Sequence, residues 1–285
     1  MNSSSHFEPV DYLLIGHITQ DLTTTGINLG GTVSYSGLTA KAMGLKVGVV
    51  TSCASDVDLS QLEGIQVCRI DSEFSTTFEN IYSKDGRIQV LHHSASTLNL
   101  SSIPEVWRRT SIVHLAPVAQ EVEPGLARSF PDSTLCLTPQ GWLRSWDSAG
   151  HVYPGEWPEA AFVLENSNMA VLSMDDVGCD EKRIDELLSS IRILAVTEGA
   201  DGARVYWNGD LRHFQVPRTK VKDETGAGDI FAAAFFIRYE ITRDPWEACR
   251  FATQLATGSV ARRGLQSIPT IEEIQSANIE ILQKM

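Results

Sequence analysis

Seven residues near the C-terminus, Asp-Glu-Thr-Gly-Ala-Gly-Asp at positions 223–229, combine small residues with carboxylates just before an apolar, helix-like stretch at 230–239. Small residues let a ligand approach the backbone closely, and the unpaired N–H groups in the first turn of a helix attract anions. Asp229 falls in that first turn. A carboxylate beside an anion site repels the anion, but it suits a general base that takes a proton from an attacking hydroxyl group. The alternative is a tight start to a helix, in which Asp229 only interacts with the helix dipole.

Two other phosphate-binding motifs are excluded by inspection of the sequence. A dinucleotide fingerprint of the Gly-x-Gly-x-x-Gly type would require glycine at position 231, where the chain has Phe231. A P-loop requires Gly-Lys followed by Ser or Thr, and this triplet does not occur in the chain. The segment 223–229 is therefore the strongest candidate for chemistry on a phosphoryl group.

Apolar runs rich in β-branched residues alternate with helix-like stretches along most of the chain. This alternation predicts βα units and an α/β fold, with a mostly parallel sheet covered on both faces. The predicted strands are 12–15, 46–51, 112–115, 135–137, 162–164 and 193–197, and the predicted helices are 33–43, 181–190, 226–239 and 245–262.

Two polar stretches, at about 19–30 and 75–92, interrupt the alternation. The second reads as a β-hairpin with its turn at Ser-Lys-Asp-Gly, positions 83–86. We expect the two stretches to form a small β-sheet apart from the main layer, which could serve as a lid over an active site. The alternative is an edge sheet without a role in function.

Composition limits the kind of protein and its partners. The chain has 285 residues with 42% hydrophobic content, enough for one large core, and we predict a single domain over 1–285. A formal net charge of −13 disfavours nucleic acid and anionic membranes as partners. No apolar run reaches the ~20 residues of a membrane span. The five cysteines include no CxxC pair and the first residues lack a signal-peptide pattern, so we expect a cytoplasmic protein.

Three segments in order resemble the ribokinase-like carbohydrate kinases, the PfkB family. Residues 223–229 resemble its C-terminal signature. Gly30-Gly31 resembles its N-terminal signature, although the Asn that usually follows is absent from 32–36. Residues 196–202, Val-Thr-Glu-Gly-Ala-Asp-Gly, resemble its Thr-x-Gly-x-x-Gly nucleotide segment. The resemblance implies a three-layer α/β/α sandwich with a mostly parallel central sheet and a small β-sheet lid.

The resemblance also implies an activity and a set of site residues. The implied reaction moves the γ-phosphoryl group of ATP, with Mg²⁺, onto a hydroxyl of a small sugar or polyol, and Asp229 is the base that deprotonates this hydroxyl. The other implied residues are Gly226, Ala227 and Gly228 for an anion hole; Thr197, Gly199, Gly202, Ser173 and Thr225 on the nucleotide side; and Asp21, near the end of the first strand, with Gly30, Gly31 and Arg144 on the acceptor side.

One family motif is altered in this chain. Where relatives usually carry Asn-x-x-Glu, which organises Mg²⁺ and phosphate, residues 173–176 are Ser-Met-Asp-Asp. Asp176 could replace the Glu as a magnesium partner acting through water, because both carboxylates offer hard oxygens. Ser173 could replace the Asn as a hydrogen-bonding group. The alternative is a helix N-cap followed by acidic residues in the first turn. Glu224 is a second departure, because Thr is more usual there.

The acceptor is less well defined. Residues 138–144, Thr-Pro-Gln-Gly-Trp-Leu-Arg, follow a predicted strand, and their Gln-Gly-x-x-Arg pattern resembles the myo-inositol kinase branch. We therefore favour a cyclitol such as myo-inositol, with Arg144 as a substrate or phosphate contact; a surface arginine after a turn is the alternative. A nucleoside kinase of the same fold and a non-catalytic sugar-binding sensor are the rival functions. Many relatives dimerise through the lid, and the exposed edge of a small sheet leaves a homodimer open.

Overall fold

The computed structural model describes residues 7–23, 26–83, 86–216 and 219–283. In chain order the strands are β1 (Tyr12–Ile15), β2 (Thr19–Thr23), β3 (Gly26–Gly30), β4 (Val47–Cys53), β5 (Gln66–Asp71), β6 (Thr76–Ser83), β7 (Gly86–His93), β8 (Ile112–Leu115), β9 (Thr134–Leu137), β10 (Arg144–Trp146), β11 (Val152–Pro154), β12 (Met169–Ser173), β13 (Ile193–Thr197), β14 (Ala203–Trp207) and β15 (Asp210–Phe214). The α-helices are α1 (Thr32–Ala42), α2 (Ala160–Glu165), α3 (Glu181–Leu188), α4 (Ala227–Thr242), α5 (Pro245–Ser259) and α6 (Ile271–Gln283).

The main sheet has nine strands in the order β15-β14-β13-β12-β9-β8-β1-β4-β5. The strands from β13 through β5 in this order pair in parallel, whereas β14 and β15 add antiparallel strands at one edge. The mostly parallel sheet predicted from the alternation of elements is therefore confirmed. The strands β1, β8, β9 and β13 are short and almost wholly buried, as expected where both faces of a sheet are covered.

Helices cover both faces of the sheet. Successive side chains of each strand point to opposite faces, so each strand packs against helices on both sides. Tyr12 and Leu14 of β1 pack in one cluster with apolar residues of α1, α4 and α5. Leu13 and Ile15 pack in a second cluster with residues of α2 and α3. This arrangement is the three-layer α/β/α sandwich that was expected, and helices predicted at 33–43 and 245–262 correspond to α1 and α5.

One predicted strand is wrong. Residues 162–164 lie inside α2, and the neighbouring strand of the sheet is β12, which begins at Met169. A run of three apolar residues does not distinguish a buried strand from one turn of a buried helix, because either element can bury apolar side chains. Val163 and Leu164 are buried against the sheet from α2.

A separate four-stranded sheet has the order β3-β2-β6-β7. The pairs β2–β3 and β6–β7 are antiparallel, and β2–β6 is parallel. The prediction of a small sheet from 19–30 and 75–92 is thus confirmed, although positions 84 and 85 of the predicted turn lie outside the described residues. The assignment of 1–285 to a single domain stays a prediction.

The short hairpin of β10 and β11 joins the small sheet to the main body. The amide of Leu91 in β7 donates to the carbonyl oxygen of Gly150 at 2.8 Å. Phe78 of β6 and Leu91 are buried with Val118, which follows β8, and the hairpin residue Trp146 packs against them. The small sheet is therefore held against the main body by the β10–β11 hairpin and by the segment after β8.

Within the described residues, no helix combines the length and the apolar composition needed to cross a membrane. A cytoplasmic location stays a prediction.

Candidate active site

The candidate residues gather where the central parallel strands end. Ile15 of β1 is in register with Leu115 of β8, Leu115 with Leu137 of β9, and Ser173 of β12 with Thr197 of β13. In open α/β sheets, ligands bind outside the carboxyl ends of the strands. The segments that leave these ends carry Asp21, Arg144, Ser173, Asp176, Thr197, Gly199 and Gly202. The sheet therefore brings together residues that are far apart in sequence.

The turn before α4 is shaped by a glycine in a left-handed conformation and by hydrogen bonds to an aspartate side chain. Gly226 has φ 80° and ψ −4°, a left-handed conformation that favours glycine. Asp223 fixes the turn, because its carboxylate accepts hydrogen bonds from the amides of Thr225 at 3.0 Å and Gly264 at 3.1 Å. Burial alone would raise the pKa of Asp223, but these hydrogen bonds and the nearby Arg263 outweigh burial and lower it.

The anion-hole residues differ in how accessible they are. The amide of Ala227 donates to the carbonyl oxygen of Glu224 at 3.1 Å, so this N–H is engaged within the turn. A side chain placed at Gly228 would meet open space. Of the three residues predicted to form the anion hole, Gly228 is thus the one whose backbone a ligand can reach closely.

Asp229 stands half-buried in the first turn of α4, held by α1. The hydroxyl of Ser36 donates to its carbonyl oxygen at 2.8 Å, and the Thr32 hydroxyl hydrogen-bonds its carboxyl group. Burial raises the pKa of Asp229 to about 6, and the nearby carboxylates of Asp176 and Asp21 also raise it. The Thr32 hydrogen bond and the charge of Arg144 act in the opposite direction. A carboxyl with such a pKa is largely ionised at neutral pH and remains basic enough to accept a proton.

Asp21 reaches this site from the small sheet. It lies in β2, whereas the sequence placed it near the end of the first strand, β1. The Thr19 hydroxyl donates to one of its carboxylate oxygens at 3.0 Å. A Cβ atom at Gly30 would lie 2.3 Å from the other oxygen, and one at Gly31, where φ is 87°, would lie 2.5 Å from the carbonyl oxygen of His17. A side chain at either glycine of the pair would therefore meet Asp21 or the backbone of His17.

Arg144 begins β10 and is half-buried. Its guanidinium donates to the carbonyl oxygen of Val118 at 3.3 Å and lies 5.7 Å from the ring centre of Phe78 in the small sheet. It is also close enough to Asp229 to lower the pKa of that carboxyl. Arg144 therefore stands between the small sheet and the candidate base.

Residues 173–176 form the N-cap that sequence reasoning left as an alternative. The Ser173 hydroxyl accepts from the amide of Asp176 at 3.2 Å, and the Asp176 carboxylate accepts from the amide of Ser173 at 2.8 Å. The second carboxylate oxygen accepts from the side-chain amide of Gln140 at 3.1 Å. The cap therefore holds the Asp176 carboxylate in a fixed orientation and links it to the segment 138–144.

Three of the residues predicted on the nucleotide side, Thr197, Gly199 and Gly202, lie at or in the turn between β13 and β14. Thr197 ends β13, and its hydroxyl donates to the carbonyl oxygen of Leu172 at 3.4 Å. Gly199 and Gly202 have φ of 56° and 100°. A Cβ atom at Gly202 would lie 2.0 Å from the carbonyl oxygen of Phe214, whereas Gly199 faces open space. Thr225 is exposed on the separate turn before α4.

Two features of the site were missed from the sequence. Thr32 and Tyr35 of α1 lie directly beside Asp229 and Gly226, and neither had been predicted to be a site residue. Buried Glu121 accepts hydrogen bonds from the amides of His17, Val118 and Ala119 at 2.7–3.0 Å. Glu123 lies two residues further on, and nothing in the sequence distinguishes the buried Glu121 from this exposed neighbour. Glu121 ties the loop after β1 to the loop after β8.

Solved structures share this fold. A pyrophosphate-dependent kinase in the ribokinase family, complexed with a pyrophosphate analogue and myo-inositol, matches with a TM-score of 0.80 and 20% identity, covering 93% of this chain and 99% of that one. Ribokinase from Thermotoga maritima matches with a TM-score of 0.70 and 18% identity, covering 95% and 99%. The fold is ribokinase-like, with a large, mostly parallel sheet and a small lid sheet.

Sequence comparisons indicate the family and the kind of reaction. Residues 163–271 match the family model described as pfkB family carbohydrate kinase, which confirms the resemblance seen in the motifs. The cytidine kinase of Thermococcus kodakarensis is 24% identical over 280 residues, covering 91% of this chain and 99% of that protein. The inositol 3-kinase of Zea mays is 36% identical over 112 residues, covering 36% of this chain and 27% of that protein. These matches support a sugar or nucleoside kinase of the ribokinase family, a phosphotransferase.

Proposed function

We propose that the protein transfers a phosphoryl group onto a hydroxyl of a small sugar or polyol, with Asp229 as the general base. The observation that carries this proposal is the placement of Asp229 at the start of α4, beside Gly228 and with its pKa raised to about 6. The acceptor hydroxyl gives its proton to the Asp229 carboxylate while its oxygen attacks the terminal phosphorus of the donor. The bond from that phosphorus to the leaving phosphate breaks. Such transfer depends mainly on positioning and on stabilising charge.

Gly228 and Arg144 would stabilise the transferring group. The phosphoryl oxygens carry negative charge, and the open backbone at Gly228 offers an N–H at the positive end of the 16-residue helix α4. Arg144 adds a cation on the acceptor side. Asp21, Gly30 and Gly31 would hold the acceptor, because the carboxylate can accept hydrogen bonds from its hydroxyls and the glycines let it lie against the backbone.

Asp176 is the residue that would hold Mg²⁺, and the metal, when bound, would supply positive charge that stabilises the phosphate oxygens of the donor. Among the residues that the structure describes, no group of three or more His, Cys, Asp or Glu is arranged as a metal cluster. Mg²⁺ usually keeps several waters and binds through one or two carboxylates together with phosphates. The Asp176 carboxylate fits that role through water, because Ser173 and Gln140 fix its orientation and an oxygen has further lone pairs to offer.

The favoured donor is ATP, and pyrophosphate is the second candidate. The nucleotide would be bordered by residues at or just beyond the carboxyl ends of β12 and β13, and by one residue on the turn before α4: Ser173, Thr197, Gly199, Gly202 and Thr225. Pyrophosphate is considered because a structure with a TM-score of 0.80 is that of a pyrophosphate-dependent kinase.

The favoured acceptor is a cyclitol such as myo-inositol. Gln140 and Arg144 of the inositol-kinase-like segment both reach the site, and the Zea mays relative is an inositol 3-kinase. A nucleoside is the second candidate, because the relative that covers 91% of the chain is a cytidine kinase.

The test is a matrix of donors and acceptors. ATP and pyrophosphate, each with Mg²⁺, are combined with polyols, hexoses, pentoses and nucleosides, and phosphorylated product is measured for the wild type, Asp229→Asn and Asp132→Asn. Asp132 is exposed before β9, at the opposite end of that strand, and serves as the matched control. We expect Asp229→Asn to lower kcat at least about 10²-fold with acceptor binding retained, and excess EDTA to abolish turnover.

Turnover of Asp229→Asn close to that of the wild type would contradict the assigned base. Full activity in EDTA would contradict metal-assisted transfer. Acceptor binding without product for every donor would favour the non-catalytic sensor.

A further inference from the structure

Arg204 of β14 is a buried cation that the proposed reaction does not use. The residue is only 7% exposed. Its Nη2 atom donates to both carboxylate oxygens of Glu181 at 2.8 Å and to Sδ of Met174 at 3.0 Å. Its Nε atom lies 3.2 Å from Oε1 of Glu198, and the guanidinium carbon lies 5.6 Å from the ring centre of Tyr206. The charge is therefore balanced by two carboxylates that come from different parts of the chain.

The partners of this guanidinium group lie on the nucleotide side of the candidate site. Glu198 follows Thr197 directly, in the turn after β13. Met174 lies after β12, in the cap that fixes the orientation of Asp176. Glu181 is the first residue of α3. One buried cation thus connects the nucleotide-side turn with the segment proposed to hold Mg²⁺.

The guanidinium group lies on the face of the sheet opposite to α4. Arg204 pairs with Val196 of β13, and paired residues of neighbouring strands point to the same face. Val196 packs in the cluster that contains residues of α2 and α3, whereas α4 packs on the other face. The contact with Arg204 therefore holds the Glu198 carboxylate toward α3 and away from the start of α4.

The position of the Glu198 charge matters because the phosphoryl donor is an anion. A carboxylate in a turn that borders the phosphoryl donor repels its phosphate oxygens unless a cation neutralises that carboxylate. Arg204 supplies the cation, and Glu181 balances the charge that remains. A guanidinium group suits this task because its rigid, planar set of N–H groups can contact two carboxylates at once.

We propose that Arg204 is a positioning residue for the phosphoryl donor. It neutralises Glu198 and holds the nucleotide-side turn against the cap at 173–176, so that the phosphoryl donor and Mg²⁺ meet in a fixed arrangement. The inference rests on the proposed kinase function and adds a determinant of affinity on its donor side. Arg204 acts through these neighbours, so its removal weakens binding of the phosphoryl donor and leaves acceptor binding intact.

The first test compares Arg204→Met with Arg238→Met. Arg238 is the matched control, because it pairs with Glu247 at 2.8 Å and lies 5.2 Å from the ring centre of Phe251, toward the C-terminal end of α4. KM for the phosphoryl donor, KM for the acceptor and Tm are measured with Mg²⁺ and the pair of substrates that the wild type uses. We expect Arg204→Met to raise KM for the phosphoryl donor at least about tenfold and to change KM for the acceptor less than about twofold. Arg238→Met should lower Tm and change neither KM.

The second test adds Glu198→Gln, which removes the charge that Arg204 neutralises. Alone, this substitution should change KM for the phosphoryl donor less than about twofold, because the charge is already balanced. Added to Arg204→Met, it should lower that KM at least about threefold relative to Arg204→Met, because the uncompensated carboxylate is gone. Calorimetric titration of each variant with ATP or pyrophosphate and Mg²⁺, without acceptor, should show the same pattern in Kd.

A structural role alone would lower Tm in Arg204→Met without this pattern. Unchanged affinity for the phosphoryl donor in Arg204→Met, or no recovery on adding Glu198→Gln, would overturn the inference while the proposed function stands. Should Arg204→Met fail to fold, Arg204→Lys takes its place; its single nitrogen cannot reach both carboxylates as the guanidinium does, and we expect KM for the phosphoryl donor to rise about threefold. Absence of turnover by the wild type with every substrate pair would overturn the proposed function, and this inference with it.

Discussion

The hydroxyl of Thr32, the first residue of α1, donates a hydrogen bond to the carboxyl group of Asp229 in the first turn of α4. The bond favours the ionised carboxylate, because a carboxylate is a better acceptor than a neutral acid. Burial and the charges of Asp176 and Asp21 favour the protonated form. The pKa of about 6 is the balance of these opposing effects, and single substitutions should shift it in known directions.

Activity should follow the ionisation of Asp229. We expect kcat/KM of the wild type to rise through about pH 6 and to level off above it, since only the ionised base accepts a proton. Thr32→Val removes the hydrogen bond and should move the midpoint to higher pH, lowering kcat/KM near the wild-type midpoint about two- to tenfold. Thr257→Val, which alters a hydroxyl on α5, is the control. An unmoved midpoint in Thr32→Val would refute the role of this hydrogen bond.

Charge neighbours of Asp229 should shift the same midpoint in opposite directions. Asp176→Asn removes a charge that raises the pKa of Asp229, so its pH profile should move to lower pH. Arg144→Gln removes a charge that lowers the pKa, so its profile should move to higher pH. Both variants should also turn over more slowly, but the midpoint of kcat/KM against pH is the quantity that separates them. Shifts in a common direction would contradict the proposed arrangement of charges.

The raised pKa of Asp229 also links stability to pH. A carboxyl whose folded pKa is about 6, above its ordinary 3.8, favours the folded state below the lower value. This contribution is lost as the pH rises through about 6, because ionisation is then easier in the unfolded chain. Asp229→Asn removes the effect. The difference in Tm, Asp229→Asn minus wild type, should therefore be about 2–4 °C larger at pH ~8 than at pH ~5. A difference in Tm that does not change with pH would show that Asp229 has an ordinary pKa.

Glu121 should contribute strongly to stability although it is no candidate for catalysis. Its buried carboxylate accepts from three backbone amides, and glutamine would present an N–H₂ group toward some of these donors. We expect Glu121→Gln to lower the free energy of unfolding by about 1.5–3 kcal/mol. The exposed Glu123, altered to Gln, should change it by less than about 0.5 kcal/mol. Denaturant titration distinguishes the two, and equal effects would argue against the buried network.

Gly226 and Tyr35 should be energetically coupled. Gly226→Ala places a Cβ atom in a left-handed residue, which costs about 1–2 kcal/mol by itself, and drives it into the Tyr35 ring. In a Tyr35→Ala background only the backbone cost remains. A double-mutant cycle on the free energy of unfolding should therefore give a coupling of at least about 1 kcal/mol. Strictly additive effects would mean that the ring does not lie against this glycine.

Local patterns in the sequence predicted the main elements and the turn before α4. The segment 223–229 combines small residues with a carboxylate, and both its helix start and the position of Asp229 follow from that order. The polar stretches at 19–30 and 75–92 predicted the small sheet that the structure contains. Short apolar runs were less informative, because 162–164 lies in a helix that buries Val163 and Leu164 as fully as a strand would.

The contacts that tune the site could not be predicted in this way. Thr32 and Tyr35 meet α4 only because α1 packs beside it, and Glu121 meets His17 only because β1 and β8 are adjacent in the sheet. These neighbours are separated by most of the chain or by a hundred residues of sequence, and a single sequence carries no signal of their proximity. Asp21 was identified as a candidate near the end of the first strand, and it lies in β2, within the stretch 19–30 that was predicted to belong to the small sheet.

The hydrogen bond from Leu91 to Gly150 bears on how copies of the protein could associate. Unpaired backbone groups at a sheet edge invite pairing with another chain, and the hairpin occupies part of that edge at β7. The opposite edge of the small sheet is β3, where the side chain of Ile27 is 61% exposed. The predicted homodimer would then pair β3 with its counterpart and merge two small sheets into one. Because β3 ends at Gly30, beside Asp21, the proposed acceptor sites would border the interface between subunits. Dissociation of the dimer on dilution would then weaken acceptor binding.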